Sequence, residues 1–166
     1  MNRTLAGRLV VLALAVMSVG CDRVTKHFAT DWLAGAPARS YLGDTLRLTY
    51  AENAGGFLSL GENLPEVVRT AVFTVATAAA LLVLVVLAWR GAASGYRLAA
   101  LTFFVAGGAS NWLDRALRVV VVDFLNVGVG PIRTGVFNVA DMAIMLGATL
   151  FVVGELVGRR RAETAK

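Results

Sequence analysis

Cysteine and histidine are almost missing from this sequence: each occurs once, as Cys21 and His27. A lone cysteine excludes an internal disulfide framework, and a lone histidine excludes multi-histidine metal centres. Charge is scarce too, at 16% of residues against 57% hydrophobic. With a mean hydropathy of +0.69, the chain is too apolar for an ordinary soluble domain of its length, which points to a membrane. The net charge of +5 does not argue for nucleic acid. Its basic residues are scattered or terminal (Arg159, Arg160, Arg161, Lys166) and form no groove-like cluster. A basic run after an apolar helix fits a cytoplasmic anchor. No internal repeat or low-complexity linker divides the chain, so one integral membrane domain over residues 1–166 is expected.

What the sequence does contain is long apolar runs. Ala71 to Trp89 carries no charge over a length that crosses a hydrocarbon core of ~30 Å. Leu98 to Leu113 is uncharged and rich in small residues that favour close helix packing. A further run spans Val136 to Val157, interrupted by Asp141 and Glu155. The first run ends in "SVGCDRVTK" (18–26), which has two readings. Small residues before Cys21 suggest the processing signal of a lipoprotein, but Ser18 is a poor match to the large aliphatic residue expected there. The uncharged run before Asp22 is also too short to span, so a spanning helix must continue to about Phe28 and carry Asp22 and Lys26 into the membrane. The expected fold is a mainly α membrane protein. It has four transmembrane helices, at about 9–28, 69–89, 98–117 and 136–157, and a small extracytoplasmic sheet and loop region. Residues 30–66 form the main outer segment, with a sheet expected within 39–60. "VVVVDFLNVGVG" (119–130) reads as an extended piece presenting Asp123, although its valines could equally prolong the third helix. The density of Lys and Arg in the short segments 1–8, 90–97 and 158–166 predicts both termini inside.

Helical rise then gives depths. Asp22 lies about 20 Å up the first helix, Asn111 and Asp114 about 20 and 24 Å up the third, and Asp141 about 22 Å up the fourth. Three helices therefore bring acids to one level, near the outer leaflet. Buried intramembrane acids face a partner or a cavity. Asn111, Asp114 and Arg115 share a helix face, as do Asn138 and Asp141. An Asp114–Arg115 pair holding the helix end, an Asn138 helix cap and an Asp22–Lys26 ion pair are the simpler structural readings of these groups. Phe57 and Trp112 read as interfacial or packing aromatics. The chemistry that suits such a belt is a pair of aspartates sharing one proton, one activating water and the other polarising a carbonyl. A nucleophilic system through His27 or Lys26 lacks a distinctive partner, and an all-aspartate metal site would need more ligands. A small ion-conducting or transporter-type protein is the alternative, weakened because the acids cluster at one leaflet.

Five segments occur in order along the chain: "DRVTK" (22–26), "ENAGGF" (52–57), "GGASNWLDR" (107–115), "VVDF" (121–124) and "FNVADMAI" (137–144). In these the chain resembles the lipoprotein signal peptidase (signal peptidase II) family, aspartic proteases of the bacterial inner membrane. The resemblance implies that Asp123 and Asp141 are the catalytic dyad. It implies that Asn53, Gly55, Asn111, Asp114, Arg115, Asn138 and Ala140 shape the site, and that Asp22 and Lys26 support it. The substrate it implies is a prolipoprotein carrying diacylglyceryl on its lipobox cysteine, cleaved just before that cysteine, with membrane lipids as surroundings and neither metal nor cofactor required. Two departures from the family pattern stand out. Only one residue separates Gly55 from Phe57 where the pattern has two, and Val119 stands about where a glycine follows the Asp-Arg pair.

Overall fold

A computed structural model describes residues 3–56, 61, 63–90 and 95–164. Helix α1 (Arg3–Leu33) is followed by strands β1 (Arg39–Tyr41) and β2 (Leu46–Asn53). Helix α2 (Glu66–Thr70), a widened π-type stretch (Ala71–Ala76) and helix α3 (Thr77–Trp89) follow end to end, and Glu66–Ala88 forms one rod. Helix α4 (Tyr96–Arg118), strands β3 (Val121–Val129) and β4 (Ile132–Arg133), and helix α5 (Val139–Thr164) complete the chain. The rods Glu66–Ala88 and Val139–Arg160 are long and apolar enough to cross a membrane. Helices α1 and α4 are as long, at 31 and 23 residues, but carry both acids and bases in their C-terminal halves.

Helix α4 is the hub, packed against α1, α3 and α5. Its contact with α5 is set by small residues. A Cβ on Gly107 would strike the carbonyl oxygen of Ala140, and one on Gly147 would meet the carbonyl oxygen of Ala100 at 2.6 Å. The packing is inverted relative to a soluble protein: Leu9, Val16, Met17, Leu82, Phe151 and Val152 are exposed, whereas Asp22, Lys26, Asn111, Asp114 and Asp141 are buried. Such a surface is stable where the surroundings are themselves apolar.

The sheet is antiparallel in the order β1-β2-β3-β4. Val121 to Phe124 are buried on both faces of β3, which is why the apolar residues Val121, Val122 and Phe124 show no alternation with exposed polar ones. Val122 and Phe124 pack on Ala29 and Leu33, so the last turns of α1 gain a tertiary partner and the helix runs on past residue 28. Helix α4 stops at Val119, which holds a left-handed φ of 67° at the C-cap. This turn separates the valines from the helix and directs them into β3. The expected start of the last helix at Val136 gives way to Val139, because Phe137 exchanges backbone hydrogen bonds with Leu125 (2.8 Å each way) and extends the sheet. At the far end of the sheet, Asp44 accepts bonds from Arg47 and Ser40. The adjoining Arg47 guanidinium holds its carboxyl far below the usual carboxylate range.

Candidate active site

A strand pair and a helix start deliver the two candidate catalytic acids. Asp123 lies on β3 opposite Ala51, and Asn53 at the end of β2 lies opposite Val121. The two are thus diagonal neighbours, within reach of each other on one face of the strand pair. Asn53 donates to Asp123 Oδ2 at 2.8 Å through its Nδ2. Asp141 sits in the first turn of α5, three residues after Asn138. Asn138 Oδ1 accepts the Asp141 backbone N–H at 2.9 Å, and Asp141 Oδ2 accepts the Asn138 backbone N–H at 3.1 Å. This reciprocal pair is a capping box built with aspartate. The Asn138 side chain then reaches the other acid, donating to Asp123 Oδ1 at 2.5 Å. One asparagine therefore holds both carboxylates, so the simple cap reading of Asn138 is correct but incomplete.

Asn111 fills the remaining position. Its Nδ2 donates to Asp141 Oδ1 at 2.9 Å, while its Oδ1 accepts from Lys26 Nζ at 2.7 Å and from Asn138 Nδ2 at 3.2 Å. With the oxygen occupied by two donors, the amide cannot be turned round without breaking the network. Lys26 also contacts Asp22 Oδ2 and Asp114 Oδ2, each at 2.7 Å. Asp22 Oδ1 accepts the Ala140 backbone N–H at 2.9 Å, which ties α1 to the first turn of α5. The expected Asp114–Arg115 pair does not form. Asp114 turns to α1, and Arg115 donates to the Gly55 carbonyl oxygen through Nε (3.1 Å) and Nη2 (2.5 Å). Asn53 completes that corner, accepting the Gly55 N–H at 2.9 Å and donating to the Gly56 carbonyl oxygen at 2.9 Å.

The eleven residues singled out from the sequence thus fall in one connected group: Asp22, Lys26, Asn53, Gly55, Asn111, Asp114, Arg115, Asp123, Asn138, Ala140 and Asp141. Phe57 lies outside the described residues. Cys21 and His27 point away; Cys21 is exposed, and His27 pairs with exposed Asp31 on its own helix. Two members of the group were not picked out beforehand. Arg23 contacts Asp114 Oδ1 at 2.6 Å, and Ser110 Oγ donates to Asp22 Oδ2 at 2.7 Å. Helical spacing was the available signal, since Arg23 lies three residues before Lys26 and Ser110 four before Asp114.

Burial pushes the Asp123 carboxyl up to about 6. The Asp141 charge adds to the rise, while bonds from Asn53 and Asn138 and the charge of Lys26 oppose it. A carboxyl at that value exchanges a proton near neutrality, as a general acid or base must. Among the described residues no three His, Cys, Asp or Glu side chains are placed to hold a metal ion. A cavity of about 190 Å³ opens beside the site, lined by Ala54, Phe73, Thr74 and Arg115 among others.

Comparisons with known proteins show the family and the fold. A family model described as signal peptidase (SPase) II matches residues 14–157. A lipoprotein signal peptidase of Mycobacterium leprae (strain Br4923) is 32% identical, covering 93% of this chain and 78% of its own length. One from Syntrophomonas wolfei subsp. wolfei is also 32% identical, covering 86% and 89%. A solved structure described as a bacterial membrane enzyme matches with a TM-score of 0.75 over 89% of this chain and 87% of its own, at 24% identity. That likeness shows a shared fold.

Proposed function

This chain belongs to the signal peptidase II family, and we propose that it is an aspartic endopeptidase that removes signal peptides from diacylglyceryl-modified prolipoproteins by cutting just before the lipidated cysteine. The observation that carries this reading is the double hold of Asn138 on Asp123 and Asp141. Two carboxylates anchored on one residue cannot both ionise cheaply, so near neutral pH they share one proton and titrate as a unit. The ionised member takes a proton from water, and the water oxygen attacks the scissile carbonyl carbon. The protonated member donates to the carbonyl oxygen as negative charge develops there. The proton taken from water then passes to the amide nitrogen as the C–N bond breaks, and the proton lent to the carbonyl oxygen returns, so the pair again holds one proton. Asn53, Asn111 and Asn138 keep the carboxylate oxygens aimed through this exchange.

In this reading the protein is a single multi-pass domain of the bacterial inner membrane. α1, the rod Glu66–Ala88, α4 and α5 are its spans, both termini are cytoplasmic, and residues 30–66 and 119–135 lie outside. The site then sits at outer-leaflet depth, where acyl chains arrive laterally from surrounding lipid while the peptide bond meets the polar group. Arg115 and Asn53, beside the cavity, are placed to hold the substrate backbone. A conducting pore fits less well: the buried acids are engaged in bonds at one end, and Glu155 near the other end pairs with Arg97 at 2.6 Å. The test is cleavage of a purified prolipoprotein with and without diacylglyceryl on its cysteine. Only the modified precursor should release its signal peptide. Equal cleavage of both forms sinks the lipid requirement.

A further inference from the structure

The group beneath the dyad contains more acid than the expected support residues can balance. Asp22 and Asp114 are both buried, and Lys26 lies between them. A lysine ammonium has three N–H bonds, and all are committed: to Asp22 Oδ2, Asp114 Oδ2 and Asn111 Oδ1, each at 2.7 Å. Lys26 is thus fully used as a donor, yet it neutralises only one of its two acids. The second positive charge comes from Arg23. Its Nη1 meets the remaining oxygen of Asp114 at 2.6 Å, and its Nη2 donates to the Ser110 backbone carbonyl at 3.0 Å.

We infer that Arg23 is a positioning residue that sets the charge of the buried group under the dyad, and through it the pH range in which the dyad holds one proton. The inference rests on the aspartic reading above. The chain of contact is short: Arg23 to Asp114, Asp114 to Lys26, Lys26 to Asn111, Asn111 to Asp141. With Arg23 present, two acids and two bases cancel. Without it the group carries one net negative charge that Lys26 alone faces. The other charges around the dyad are Arg115, which senses Asp123, Asp141 and Asp114, and Asp22 and Lys26, which act on Asp141. None of these is free to replace Arg23, because each already has its own partner in the group. The Arg23 side chain is 31% exposed, so it sits at the rim and reaches in, the usual way for an arginine stem to lie along apolar surface.

The test is the pH profile of prolipoprotein cleavage by the full-length protein, with kcat and KM separated. R23Q keeps a donor but loses the charge, and its profile should move to higher pH by about half a unit to one unit, the scale of a unit charge nearby at an effective dielectric of ~20. KM should change little, since Arg23 touches no part of the cavity. D114N removes the opposing acid and should move the profile to lower pH. The double variant R23Q/D114N restores neutrality and should return the profile toward that of the parent. R23K keeps the charge and should keep the profile. A residue that only braced the helices would shift none of these limbs in opposite directions. If R23Q does not fold, the downward shift of D114N and the return in the double variant carry the test. Shifts of one sign, or none, overturn the inference. Loss of all pH dependence together with full activity in Asp123→Asn would instead overturn the aspartic reading.

Discussion

The two halves of the helical bundle, one toward the sheet and one toward Arg97 and Glu155, are held by different forces. In the half toward the sheet, α1, α4, α5 and β3 meet through charged and amide side chains buried in one network, from Arg23 to Asp123. In the opposite half, α4 and α5 meet through backbone and small residues, with Gly147 against Ala100 and Phe104, and Gly154 against Tyr96. The ion pair at that end, Arg97 with Glu155, lies exposed. Bonds in the half toward the sheet are directional and withdrawn from water, so each depends on its neighbours. In the opposite half dispersion and close approach do the work, and a polar group at the surface adds little. The comparison teaches that precision is concentrated where chemistry is proposed, and that the remainder of the bundle is scaffold.

The sharpest way to break that comparison is at the acids. Asp123→Asn and Asp141→Asn should each reduce cleavage of a modified prolipoprotein to background while the protein still inserts and melts cooperatively, because asparagine preserves volume. Near-normal turnover by either variant would remove the aspartic mechanism. Asn138→Ala should come next. It removes the cap, at about 1 kcal/mol of stability, and frees both carboxylates, for which a drop in kcat of roughly 10²-fold is expected from lost positioning. A stability loss without a kcat loss would reduce Asn138 to a helix cap.

Proton dependence sharpens the same contrast. Asp123 is held up at about 6 from an ordinary value of 3.8, so the folded state binds this proton more tightly than the unfolded chain. The stability it contributes is present below about 4 and is lost as pH rises through about 6. Melting temperature should therefore fall across this window, and Asp123→Asn should flatten that part of the curve. Cleavage should decline as pH rises above about 6, where Asp123 gives up its proton beside an already charged Asp141 and the shared-proton state gives way to the doubly ionised one.

A smaller effect is expected at Val119. A β-branched residue with φ of 67° is strained, and Val119→Gly relieves it, for a gain of roughly 1 kcal/mol after the added chain entropy is counted. Thermal unfolding checks this, with cleavage as a control. The smallest is Glu155→Gln in the half away from the sheet, where neither the melting temperature nor kcat should change measurably. A large loss there would mean that the two halves are not distinct.

Much of this was legible in advance. The apolar runs gave the helices, and helical rise brought Asp22, Asn111, Asp114 and Asp141 to one level, because an α-helix has a fixed pitch. The pattern around Val119 was legible only as an anomaly; its cause is the left-handed turn that ends α4. Partner choice was legible within a helix for Asp22 with Lys26 and for Asn138 with Asp141, but not between elements. Sequence spacing paired Asp114 with Arg115, its neighbour on one helix, whereas the folded chain gives Asp114 to Arg23 and Lys26 on another and turns Arg115 to Gly55.

By itself, then, the sequence determined an apolar chain with long helices, a short sheet and a belt of acids, since hydropathy and periodicity act locally along the chain. Only the tertiary structure decided that Asn53 and Asn138 hold Asp123 and that Asn111 holds Asp141. Those choices depend on the approach of α4 to α5 at Gly107 and on the pairing of β2 with β3 across the bulge between Leu48 and Ala51. They join residues as much as 118 positions apart, Asp22 and Ala140, and hydrogen bonds at that separation are fixed by packing geometry, on which local sequence is silent.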